Sequence, residues 1–318
     1  MSGGPGVSEA GRQRWRAILP LAISAGVLAW LFATSDLSKV GDSIDARVLR
    51  VMIPAMALYG AATLWLEARS IRRMLPEAPA GFGMWAAARI KCASYLPGLL
   101  HYTLGIGTVA VLLRRQVGIR LGQAASLVAT ITGTDLLVVS TAAATAAALS
   151  GIEADGLRTG IAALLLAAFG GGLALLRAPF SLGPLDRLRE LAIFEGLRAT
   201  PLPRLAELLA MRIVFACCFV AGCAAAFYAF EIAVPVSTLV TGTLLVALVS
   251  ALPIAVAGLG TSQAAFVYLF GDYAPDETLL ALSLVLSFAM LSLRALMGLA
   301  FARELTRQAL RDAQAVET

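Results

Sequence analysis

Residues 250–266 read SALPIAVAGLGTSQAAF, and the reading of this stretch decides the fold. Apolar segments long enough to cross a bilayer flank it, yet Pro253, Gly258 and Gly260 interrupt it. A proline inside a helix removes a backbone hydrogen bond, and freed backbone groups survive at membrane depth only where protein or a wet cavity satisfies them. The stretch therefore predicts a helix break beside a cavity or a tightly packed interior.

That a bilayer is the solvent follows from composition. The chain of 318 residues is 59% hydrophobic and 14% charged, with a mean hydropathy of +0.83. Soluble proteins use roughly 45–50% apolar and about 25% charged residues. Apolar runs near the length of a spanning helix occupy 17–34, 47–64, 124–150, 160–176, 208–230 and 279–300, and two further apolar regions, about 84–113 and 237–271, are broken inside. Arg12, Arg14 and Arg16 precede the first run, but its length and the lack of a small-x-small cleavage site before Asp36 favour a retained helix over a signal peptide.

Basic residues set the orientation. Arg69, Arg72, Arg73, Arg89, Lys91, Arg114, Arg115, Arg120, the arginines of 177–212 and those of both tails fall on one set of alternating loops. The other set keeps Lys39, Arg47, Arg50 and Arg158. Cytoplasmic loops carry the excess of Lys and Arg, so both termini are expected in the cytoplasm of a bacterial inner-membrane protein. The net charge of +5 then needs no nucleic-acid partner.

With that orientation, each broken region enters and leaves by the same face, either as a re-entrant hairpin or as two short helices. The chain reads as an all-α membrane protein of two units, each with three spanning helices and one broken hairpin. Three crossings per unit is an odd number, so the second unit is inverted relative to the first. The expected organisation is a tail at 1–16, a membrane domain at 17–302 with repeats at about 17–150 and 158–302, an amphipathic segment at 177–207, and a tail at 303–318. The two hairpins also share a pattern. Ser94, Leu96 and Pro97 precede Gly105, Gly107 and Thr108, as Ser250, Leu252 and Pro253 precede Gly258, Gly260 and Thr261. Inverted repeats with discontinuous helices are a transporter architecture.

These residues carry a resemblance. The broken LP region, the end of the helix containing TLWLEARSIRRML, and LPIAVAGLGTSQAAFVYLF followed by an acidic turn resemble the membrane domain of the lysylphosphatidylglycerol synthase family over most of 17–302. The resemblance implies a flippase-like domain that moves lipids between leaflets, in a distant member without the soluble aminoacyl-transferring portion. The departures are specific. Leu99, Leu100, His101 and Tyr102 stand where the family places an Arg and a Glu, Gln263 stands in place of a Glu, and Ala255 in place of a Ser.

Ionisable groups inside the membrane are the best pointers to a site, because they are costly there and face the interior. Asp135 and Arg294 lie at roughly matching places in the two repeats and are expected to face each other, as a structural pair or as contacts to a lipid head. Snorkelling of Arg294 to the surface is the alternative. Arg89 and Lys91 stand at the mouth of the first hairpin, to attract phosphate or to anchor the helix. His101, Gln263, Thr108 and Thr261 can line a polar path or serve packing. Glu67 and Arg69 read as an interfacial pair. Cys92, Cys217, Cys218 and Cys223 with the single His101 suggest neither a disulfide framework nor a metal site.

No catalytic constellation, phosphate-binding loop or dinucleotide fingerprint is present, so neither an enzyme nor a cofactor is expected. Three functions compete: movement of a lipid or lipid-linked molecule through a groove between the repeats, a scaffold for a cytoplasmic lipid- or glycan-modifying enzyme docked on the amphipathic segment, and an intramembrane enzyme, against which the lack of an acid, base, nucleophile or metal constellation counts.

Overall fold

A computed structural model describes residues 45–75, 78–79, 81–100, 102–149, 194–251 and 260–316. The described residues form α-helices without strands: α1 Ala46–Met74, α2 Met84–Leu100, α3 Tyr102–Val117, α4 Leu121–Leu149, α5 Glu195–Ala199, α6 Leu202–Ala229, α7 Val236–Ala251, α8 Thr261–Phe270 and α9 Asp276–Val316. Within them α1, α4, α6 and α9 are long and apolar enough to cross a membrane. The expected runs at 17–34 and 160–176 lie outside the described residues.

Helices α1 and α6 form an antiparallel seam. Arg47 pairs with Glu231 just beyond the end of α6, Met56 meets Gly222, Glu67 pairs with Arg212, and Arg73 pairs with Glu207. Each step forward along α1 is thus matched by a similar step back along α6. Around the seam, α9 packs on α2, α7 on α4, α3 on α4 and α8 on α9. Apolar side chains gain little by leaving lipid, so contact in a bilayer depends on close packing. Phe227, Phe266 and Phe270 supply one such centre, with ring centroids 4.6–6.2 Å apart.

The expected breaks need correction in the first hairpin. Pro97 lies inside α2, and Gly105 and Gly107 lie inside α3. Pro97 falls in the last turn of α2, where a missing N–H costs the helix a single bond; α1 likewise continues through Pro54. Gly105 permits contact instead of a break. A Cβ there would lie 2.9 Å from Gly98 Cα and 3.1 Å from the Ser94 carbonyl oxygen, both on the opposing arm. Gly107 has no such neighbour within 4 Å. Gly260 caps α8 with a φ of 90°, a conformation that favours glycine. Pro253 and Gly258 lie outside the described residues.

Candidate functional site

Four charged side chains lie well inside their helices. Glu67 lies seven residues before the end of α1, and Lys91 seven residues after the start of α2. Arg212 lies ten residues into α6, and Asp135 fourteen into α4. At 1.5 Å per residue they stand about 10–20 Å along the axis from the helix ends nearest the basic residues.

The four meet. Arg212 Nη1 donates to Glu67 Oε1 at 3.2 Å and to both Asp135 oxygens at 3.2 and 3.3 Å. Its Nη2 donates to the Ser70 hydroxyl, which itself donates to the Leu66 carbonyl at 2.7 Å. Lys91 Nζ stands 3.2 Å from Glu67 Oε2. Phe215 lies 5.5 Å beneath the guanidinium, and the Tyr95 ring 5.8 Å from the ammonium. Two carboxylates and two cations balance. Removing such charges from water costs several kcal/mol each, which their mutual attraction offsets only where the contacts are good.

The quartet is closed on one side and open on the other. The side chain of Arg212 is 0% exposed and that of Glu67 8%, whereas Lys91 is 24% and Asp135 33% exposed. Tyr102, at the start of α3, is exposed. Asp135 and Lys91 are the partly open members of the quartet, and Glu67 and Arg212 the enclosed ones.

Several expectations change here. Asp135 pairs with Arg212, not with Arg294, because α6 and not α9 presents its cation to this face of α4. Arg294 is an exposed residue on α9. Glu67 faces inward, while Arg69, which the sequence suggested as its partner, pairs with Glu207 at 3.2 Å and lies over Trp65. Successive helical residues point about 100° apart, so neighbours of opposite charge need not share a face. Arg212 closes the basic stretch 177–212 in the sequence, but α6 starts at Leu202 and carries it ten residues into the helix. Its signal in the sequence is the apolar run on both sides, ELLAMRIVFACC.

The other candidates are dispersed. Arg89 is half-buried and borders a shallow depression with Pro79, Phe82 and Gln116, away from the quartet. Thr108 donates to the Leu104 carbonyl of its own helix at 2.7 Å, and Thr261 opens α8. Gln263 is fully buried. Its Oε1 accepts from the Gly260 N–H at 2.6 Å and its Nε2 donates to Ser287 at 3.0 Å, which joins the start of α8 to α9. His101 lies outside the described residues. Among the described residues no group of three His, Cys, Asp or Glu can hold a metal ion.

Residues 17–298 match the family model described as the lysylphosphatidylglycerol synthase TM region. The chain belongs to this family. The matched span contains all four quartet residues and Arg294, so the site is built by the family's own segment. No curated protein matches the chain.

Proposed function

We propose that this protein moves a lipid or lipid-linked molecule across the bacterial inner membrane, past the open side of the quartet, without catalysing a reaction on it. The observation that carries this reading is the quartet itself. A balanced set of four charges at membrane depth, two of them partly open, offers a polar head contacts of both signs while its acyl chains stay in lipid.

Inverted repeats are part of the reading. The contact of α9 with α2 has its counterpart in that of α7 with α4, the contact of α3 with α4 in that of α8 with α9, and α1 meets α6 on the axis. Such an exchange is expected of two halves related by a two-fold axis in the membrane plane, with 84–113 and 237–271 as matching re-entrant hairpins. Residues from both halves then build one site: Glu67, Lys91 and Asp135 from the first, Arg212 from the second.

The orientation follows the basic residues, with Arg72, Arg73, Arg114 and Arg115 in the cytoplasm. In a background without the native cysteines, a single cysteine at Asp272 is expected to react with an impermeant thiol reagent added to intact cells. One at Arg115 is expected to react only after permeabilisation. The reverse pattern would turn the protein over.

Translocation is tested in liposomes with head-labelled lipids and an impermeant quencher. Asp135→Asn keeps the shape of the side chain but removes an open charge. Losing one charged contact of about 1.5–3 kcal/mol is expected to slow lipid movement by roughly ten-fold or more. Unchanged movement in a folded Asp135→Asn protein would remove Asp135 from the path.

A further inference from the structure

We propose that Asp135 is the binding site of a coupling proton: it takes up one proton in each transport cycle, and its neutralisation loosens α4 from α6. The inference rests on the translocation reading and deepens it by naming the coupling ion.

The contacts around Arg212 are uneven. Its Nη1 carries two hydrogens, yet three carboxylate oxygens stand within 3.3 Å of it, Glu67 Oε1 and both oxygens of Asp135. Two like charges that share one partner disfavour each other's ionised form. The two acids differ in what their neutralisation disturbs. Glu67 is enclosed and holds Lys91 through its second oxygen at 3.2 Å, so a proton there would weaken the hold on two cations. Among the described residues Asp135 pairs with Arg212 alone, and it is partly open, so a proton reaches it and disturbs one contact. Uptake forms one O–H bond and breaks no covalent bond. The quartet passes from balance to one net positive charge, while Arg212 keeps Glu67 and the Ser70 hydroxyl. The ion pair between α4 and α6 becomes a hydrogen bond to a neutral acid, which is weaker. Release of the proton restores the pair.

The helices packed on α4 leave Asp135 as the group that titrates. Asp135 is the one charged residue of α4 itself, and α7 carries no ionisable side chain. α3 brings Tyr102 at its start and Arg114 and Arg115 at its end, beside the turn into α4. α5 carries Glu195 and Arg198, and its Gly196 meets α4 at Ser126 and Thr130, more than a turn before Asp135. α1 and α6 present Glu67 and Arg212, with Lys91 of α2 behind Glu67.

The test places the whole protein in liposomes holding head-labelled phosphatidylcholine or phosphatidylglycerol, with the electrical potential clamped by potassium and valinomycin. A pH difference of about one unit supplies about 1.36 kcal/mol per proton, so one proton moved per lipid sustains a steady-state asymmetry of about ten-fold between leaflets. Wild type is expected to reach it, read with an impermeant quencher against protein-free liposomes. Asp135→Asn is expected to leave the leaflets equal, and Asp272→Asn, which changes an exposed acid elsewhere, to keep the asymmetry. Infrared difference spectra of the protein in detergent read the proton site without lipid movement. Between roughly pH 8 and pH 6, where an ordinary aspartate stays charged, the C=O band of a carboxylic acid is expected in wild type and in Asp272→Asn and not in Asp135→Asn. No such band in wild type, or one undiminished in Asp135→Asn, would overturn the site. Lipid movement in wild type without asymmetry overturns the coupling and leaves translocation standing. No movement at all defeats translocation, and the infrared band then decides the proton site alone.

Discussion

Arg212→Met is expected to destabilise the protein by about 3–5 kcal/mol, the cost of stripping a buried charge of its partner. Methionine fills much of the arginine's volume, so the loss is electrostatic and not a cavity effect. Glu67 keeps Lys91, but Asp135 loses its hydrogen-bonded cation, and the Ser70 hydroxyl loses its donor. The double change Arg212→Met with Asp135→Asn removes one charge of each sign and leaves the Glu67–Lys91 pair standing. It is expected to recover most of the stability and none of the lipid movement. Thermal melting followed by fluorescence-detected size exclusion reads the first quantity, and the quencher assay reads the second. A single variant that melts like wild type would show that Arg212 is not the hub of the quartet.

Gly105→Leu is expected to cost about 1–3 kcal/mol, the usual penalty of forcing volume into a filled contact. Its Cβ would meet Gly98 Cα and the Ser94 carbonyl oxygen, and backbone atoms cannot rotate out of the way. The arms of the first hairpin must therefore separate, which moves Tyr102 on α3 relative to Lys91 and Tyr95 on α2. Two residues away, Gly107→Ala meets nothing within 4 Å and stays helical, so it is expected to be neutral or to stabilise by up to about 1 kcal/mol. Equal melting temperatures for the two variants would rule out the arm contact.

This contrast shows what the sequence can and cannot tell. Hydropathy located the four spanning helices to within a few residues at most ends, because a bilayer imposes length directly. The G-x-G pattern marked the hairpin but treated both glycines alike, since only the facing arm distinguishes them. Asp135 stood out as a charge in an apolar run. Its partner did not, because Arg212 follows Arg198 and Arg204 closely enough to be counted with them, and the start of α6 at Pro201 and Leu202 is what moves it inside. Glu67 was obscured in the same way: α1 continues ten residues beyond the apolar run at 47–64, to Met74. Which face of α4 meets α6 and not α9 is a matter of packing, and no local pattern encodes it.

The quartet also ties the chain's biogenesis to its order of synthesis. Glu67, Lys91 and Asp135 leave the ribosome before Arg212, so the first half enters the bilayer carrying one carboxylate more than it has cations to match among these groups. Only the arrival of α6 neutralises it. An insertion intermediate that stops before residue 212 is therefore electrostatically incomplete, a mark by which membrane quality control can tell a half-made chain from a finished one. The two halves, expressed as separate fragments, should accumulate only when produced together.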